Sequence, residues 1–337
     1  MNDRLEIVAS LPTGPQEPVT GTPPRRRGCV RRTTSIEEHW DEPGRPRRIR
    51  ATGRDLATGA DGTAGACELV EVALVTDGAD HVAELRTEPS LPELTGLVGV
   101  GIRSGFRAAA AALIPDHRDR YSLVHQLLDD VPMAALIAGY GLAREHPEWN
   151  IPPEVAAGMR DVCVGWVDSG TMIATLERTG IFPIPLGPPA PDLAVGPDPL
   201  AWHEQGPVQR RTVRRVRRLD LWRDGDGLVL EAYFRDSHLG EVGDGDVLHE
   251  YTVTAELEPS GPGPGDLRFL GIDAVAHTLP WPECPGALSS VQRLVGRSLA
   301  EVVDIVRDEL TGASSCSHLN DVLRSTRAVT TMAPMLP

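Results

Sequence analysis

The chain has 337 residues, with 33 basic against 48 acidic side chains and a formal net charge of −15 at neutral pH. That balance argues against general nucleic-acid binding, which needs a basic face to displace counterions, and against docking on anionic membranes. Every basic residue is arginine and none is lysine, which removes Schiff-base and pyridoxal phosphate chemistry and any P-loop or kinase lysine.

Residues 1–24 open the chain with a stretch rich in Pro, Thr and Gly and no apolar period, which reads as a disordered N-terminus. The first ten residues lack the basic-then-apolar order of a signal peptide. No stretch approaches the roughly 18 apolar residues of a membrane span, so the expected location is the cytoplasm. The five cysteines (Cys29, Cys67, Cys163, Cys284, Cys316) are scattered and odd in number. They suit packing, metal ligation or nucleophilic roles better than a disulfide framework.

From residue 25 the chain reads as two related units. The first, 25–131, contains Val30-Arg31-Arg32, Ile36-Glu37 and Arg54-Asp55; the second, 208–330, contains Val213-Arg214-Arg215, Leu219-Asp220 and Arg235-Asp236 at similar spacing. Period-two alternation predicts strands over 68–75 and 81–86 in one half, and over 228–234, 249–257 and 267–276 in the other. Leu97-Val98-Gly99 and Leu294-Val295-Gly296 then lie in amphipathic helices predicted at 92–113 and 287–310. A shorter helix closes each half, beginning near Tyr121 or Cys316. Between the halves, 132–182 reads as a helical middle segment, including a helix over 154–176. A Pro/Gly-rich extended connector follows at 183–207, and 259–265 reads as a loop between strands. The expected fold class is α+β: two units of antiparallel strands followed by two helices, joined by the helical middle. The arginine runs at 25–32, 45–50 and 210–218 read as solvated strand faces. An alternative gives Arg214, Arg215 or Arg235 a substrate carboxylate or phosphate to bind.

Residues confined to one half point to a site. Aligned on the closing helices, Cys316 matches Tyr121 and His318 matches Leu123, and Cys284 corresponds to the region just before Leu91-Pro92, where there is no cysteine. Cys316 stands at a helix start, where the positive end of the dipole favours thiolate. Cys284 lies between prolines. Asp236, His238, His249 and Glu250 lie on the preceding strands. Two arrangements stay open. One is a catalytic set of Cys316, His318, Asp236 and His249, with Cys316 as nucleophile. The other is a metal set of Cys284, Cys316, His318 and His249, suited to zinc or iron. Arg235, His238 and Glu250 are the candidate substrate-binding residues. No Gly-rich dinucleotide fingerprint is present, since Gly99-Val100-Gly101 lacks its acidic partner.

At these segments the chain resembles a bacterial family catalogued as a domain of unknown function, number 2889. The resemblance rests on Arg31-Arg32-Thr33-Thr34-Ser35-Ile36, Leu127-Leu128-Asp129-Asp130-Val131-Pro132 and Asp198-Pro199-Leu200-Ala201-Trp202-His203. It continues through 234–238, 248–251, 279–285 and 316–321. The family's usual Cys-Thr-His-Leu stands here as Cys316-Ser317-His318-Leu319. The resemblance implies that Cys284, Cys316, His318, His249 and Asp236 belong to the family pattern, and it brings no activity with it. The expectation is an enzyme of small-molecule catabolism, hydrolase or lyase, acting on an acidic or acyl substrate with or without metal. The alternative is a non-catalytic metal- or ligand-binding protein with a structural Cys/His cluster.

Overall fold

The computed structural model describes the chain apart from residues 1–6, 8, 43–44, 147–154, 156–157, 208, 241–244, 262 and 264–265, and the side chains of Ala66 and Cys67. Eight strands form one antiparallel sheet in the order β4-β3-β2-β1-β5-β6-β7-β8. The strands are β1 Cys29–His39, β2 Arg48–Thr58, β3 Ala64–Thr76, β4 Val82–Glu88, β5 Thr212–Asp224, β6 Gly227–Leu239, β7 Asp246–Pro259 and β8 Leu267–Thr278. Each half contributes a four-stranded meander. The two meet where β1 pairs antiparallel with β5, Arg31 opposite Asp220 and Ile36 opposite Arg215.

The helices are α1 Phe106–Leu113, α2 Pro115–Arg120, α3 Leu123–Glu145, α4 Thr171–Thr179, α5 Val302–Asp308, α6 Ser317–Ser325 and α7 Val329–Met332. None is long and apolar enough to cross a membrane among the described residues. The mixed α+β class with antiparallel strands agrees with the sequence reading. The two long helices expected at 92–113 and 287–310 are broken, however. Each begins as a 3-10 stretch, Pro92–Leu97 or Cys284–Leu294, that ends at Val98 or Val295. Gly99 and Gly296 follow at φ +85 and +78, a conformation that costs glycine little and ends a helix. Their amides then turn back to the sheet, Gly99 N to Val82 O and Gly296 N to Phe269 O, both at 2.8 Å.

In the middle segment, α3 runs on through Pro132 to Glu145 and α4 covers Thr171–Thr179, with turns and a 3-10 turn at Val164–Trp166 before α4. Part of the helix expected at 154–176 lies outside the described residues, as does part of the 259–265 loop.

One face of the sheet carries the helices. The other is covered by extended chain, and this changes the reading of the N-terminus. Residues 11–24 are tied down: Glu17 N bonds to His277 O, Val19 N to the Glu250 carboxylate at 3.0 Å, and Trp202 Nε1 to Thr22 Oγ1 at 2.7 Å. Backbone and side-chain partners on the sheet and the connector hold a segment that its composition alone would leave loose.

The connector lies beside it, with His203 buried among the hydroxyls of Thr33, Ser35 and Thr52 at 2.9–3.0 Å. Asp198 binds Arg25 at 3.0 Å.

The arginine runs are the largest correction. Arg31, Arg32, Arg215 and Arg217 are among the largest fully buried side chains. Each finds an aspartate: Arg31 takes Asp220, Arg32 takes Asp55, Arg215 takes Asp236 and Arg217 takes Asp130. A buried guanidinium is tolerated only when paired and hydrogen-bonded, and the planar fork of arginine meets a carboxylate through two bonds.

Candidate active site

Alternation along β6 and β7 decides which side chains meet. Asp236 and His249 stand opposite each other on the helix-covered face, while their neighbours Arg235 and Glu250 stand opposite each other on the strap-covered face. Asp236 is held by Arg215 through Nε and Nη2 at 2.9 and 3.0 Å. The start of α6 brings His318 over this pair. Its Nε2 lies 3.7 Å from Asp236 Oδ2, and its ring stacks on that of His249 with centroids 3.5 Å apart and an interplanar angle of 14°. One nitrogen of each imidazole and one oxygen of Asp236 lie within 4.8 Å of one another, the single such group of metal-ligating residues among the described residues.

His249 Nδ1 and His318 Nε2 are buried and have no hydrogen-bond partner. Burial drives both imidazoles down. His318 falls to about 3, with Arg215 adding to the effect, and His249 falls well below its ordinary value, with His318 adding to it. Both rings are neutral at neutral pH, the form that accepts a proton or ligates a metal.

Around them Arg107, Arg215, Arg217 and Arg324 face Asp129, Asp130, Asp236 and Asp321, four charges against four. The lattice locks α3 to α6 and both to the sheet. Burial alone would raise Asp321, but Arg107 and Arg215 hold its carboxyl well below the usual range.

The two histidines line a cavity of about 70 Å³ whose walls include Tyr140, Cys163, Trp166, Phe182, Trp281, Cys284 and Cys316, with no arginine in the lining among the described residues. Cys316 is the N-cap of α6, and its sulfur accepts from Tyr251 Oη at 3.3 Å and lies 3.9 Å from His318 Nδ1. The expectation of a thiolate fails here. Burial pushes the Cys316 thiol up, and the hydrogen bond from Tyr251 and the helix amides do not reverse it. A helix dipole contributes only about 0.3–1 kcal/mol. Burial also raises Cys284, and raises Cys163 to about 12.

Of the sequence candidates, Asp236, His249 and His318 come together, with Cys316 and Cys284 on the same cavity but outside the ligand group. Arg235 and Glu250 pair with each other across the sheet, and Arg235 also holds Pro191 O and Val19 O of the straps. His238 sits between Glu145 and Asp246 under Trp40. These three stand apart from the cluster. Sequence reading missed Asp130, Asp321, Tyr251, Cys163 and the aromatic walls as partners of the site. The alternation of Arg215 and Arg217 against the acidic pair in α3 was the available signal.

Fold and site together define an α+β protein with a buried carboxylate–imidazole centre under a thiol- and aromatic-lined cavity. Residues 213–332 match the family model described as "Protein of unknown function (DUF2889)". The match bears out the resemblance over that segment. The motifs quoted from 31–36, 127–132 and 198–203 lie outside it. No curated protein matches the chain, and no solved structure does.

Proposed function

We propose that the protein is an enzyme of small-molecule catabolism, of hydrolase or lyase type, acting in the cytoplasm on a small acyl or acidic molecule bound in this cavity. The observation that carries it is the pair of unsatisfied buried imidazole nitrogens set beside Asp236 on two histidines that line the cavity. Each such atom costs a fold about 1–3 kcal/mol, and perturbed ionisable groups in a cleft concentrate at functional sites. In this reading His318 and His249 act on the substrate. Cys316, fixed by Tyr251, sets the ring of His318.

The two halves support placing the work in the second. The Arg32–Asp55 pair and Gln126 in the first half repeat as Arg215–Asp236 and Asp321 in the second. Where the second half has His249 opposite Asp236, the first has Glu68 opposite Asp55. Leu123, the counterpart of His318, packs toward Gly53. We read this as an internal duplication in which the pairs serve the fold and the histidines serve the reaction.

A second reading, a non-catalytic binder of a small ligand, draws on the cavity's size. At about 70 Å³ it has room for roughly two waters, so a larger substrate requires the walls to part.

A library of small esters, amides, hydroxy acids and aldehydes, screened on the full chain by NMR, separates the two readings. Catalysis predicts slow conversion of at least one compound, reduced more than about a hundredfold in His318→Gln with folding stability changed by less than about 1 kcal/mol. Compounds that bind at His318 and are never converted favour the binder. Compounds that bind or react equally well in His318→Gln and His249→Gln contradict both.

A further inference from the structure

Resting on the reading of this cluster as the reacting centre, we infer that Asp236, His249 and His318 hold one divalent transition-metal ion beside the cavity that the two histidines line, with coordination positions left free. Two histidines and one carboxylate from three separate segments are a ligand set that leaves several positions free for water and substrate. A metal about 2.0–2.2 Å from each ligand holds the ligand atoms roughly 3–3.5 Å apart. Here they lie within 4.8 Å, and the two near-parallel rings have to swing out of their stack for both lone pairs to converge beside Asp236.

The polar accounting asks for a cation. His318 Nε2 and Asp236 Oδ2 are 3.7 Å apart, too far for a hydrogen bond, and His249 Nδ1 has no partner. The surroundings also have the form of an outer shell that orients ligands. Arg215 fixes the Asp236 carboxylate through two bonds, and His318 Nδ1, on the far edge of the ring, faces the Cys316 sulfur that Tyr251 holds.

The ligand set differs from one built on Cys284 and Cys316. Both thiols stand outside the group, which leaves a nitrogen–oxygen donor set suited to iron, zinc, cobalt or nickel rather than to copper(I). The metal also answers a problem of charge. Among the described residues the cavity lining contains no arginine, so an acyl or acidic oxygen has no arginine there to meet. A divalent ion supplies it, polarising that oxygen or activating a bound water.

The test uses the full chain, purified without an affinity tag. Elemental analysis should find close to one equivalent of a first-row divalent metal. After chelation, titration with cobalt(II) chloride should give a saturable visible absorption at one equivalent. His249→Gln and His318→Gln, each checked by circular dichroism, should weaken cobalt binding at least about tenfold, while Cys284→Ser leaves it intact. Should one histidine variant fail to fold, the other decides. Absence of saturable cobalt binding overturns the inference, as does binding lost in Cys284→Ser but kept in the histidine variants. Conversion of a substrate by fully chelated protein, still dependent on His318, overturns the metal while leaving the enzymatic reading intact.

Discussion

Asp130→Ala is expected to cost about 3–5 kcal/mol of folding stability. Asp130 receives Arg217 Nε and Nη2 at 2.7 and 2.6 Å and Arg215 Nη1 at 3.3 Å. Both arginines are about 1 % exposed, so neither recruits water when its partner goes. Asp236 and Asp321 still hold Arg215. Arg217 keeps no carboxylate, and its charge remains against the Phe234 ring. Urea unfolding of the variant measures the loss. Glu258→Ala serves as the control, because the Arg268–Glu258 pair is half-exposed and should change stability by less than about 0.5 kcal/mol. Adding Arg217→Met to Asp130→Ala should restore part of the loss by removing the stranded charge. Equal losses for Asp130→Ala and Glu258→Ala would show that the buried lattice does not hold the halves together.

Acid should destabilise the fold, and His203 should account for a measurable share. Burial lowers its pKa to about 3, with Arg54 adding to the effect, against roughly 6.5 in an unfolded chain. The folded state therefore leaves this ring neutral where the unfolded state binds a proton. Its contribution is complete above about pH 6.5 and falls steadily as the pH drops toward 3. Between pH 7.5 and 5 the loss is about 2 kcal/mol. His125, also lowered by burial, acts in the same direction. His238 acts in the opposite one, because Asp246 and Glu145 outweigh its burial and raise it. Comparing urea unfolding at pH 7.5 and 5 in the wild type and in His203→Gln isolates the term. The variant should lose about 2 kcal/mol less across that interval. An unchanged difference would mean that His203 titrates normally in the folded protein.

His203 also shows why a motif can be visible while its role is not. The segment 198–203 stands out in the sequence, yet Asp198, Trp202 and His203 each bond to an N-terminal residue or to β1 and β2 and build the strap-covered face. The strands β3, β4, β6, β7 and β8 were legible because apolar residues alternate along them. β1, β2 and β5 were harder, since arginine and threonine occupy positions that face the interior. An arginine reads as solvent-facing until its aspartate is known, and Asp130 and Asp321 come from helices 87 and 106 residues away.

The proposed reacting set was half legible. Asp236, His249 and His318 stand out as residues with chemistry, and alternation already separates Asp236 from Arg235 and His249 from Glu250. The mistaken thiolate had a different origin. The sequence shows that Cys316 starts a helix, but its burial depends on Tyr251 and on the cavity walls, which come from distant segments. Desolvation, the larger effect, is not written in local spacing.

Long-range proton–nitrogen NMR of the full chain labelled at its ten histidines tests the central claim most directly, with His249→Gln and His318→Gln giving the assignments. At pH 7 the account predicts neutral imidazoles for both residues, and signals that move together and saturate near one equivalent of zinc(II). If those two signals stay fixed while other histidines respond, or if either ring is protonated at pH 7, the buried carboxylate–imidazole cluster is not the working centre of this protein.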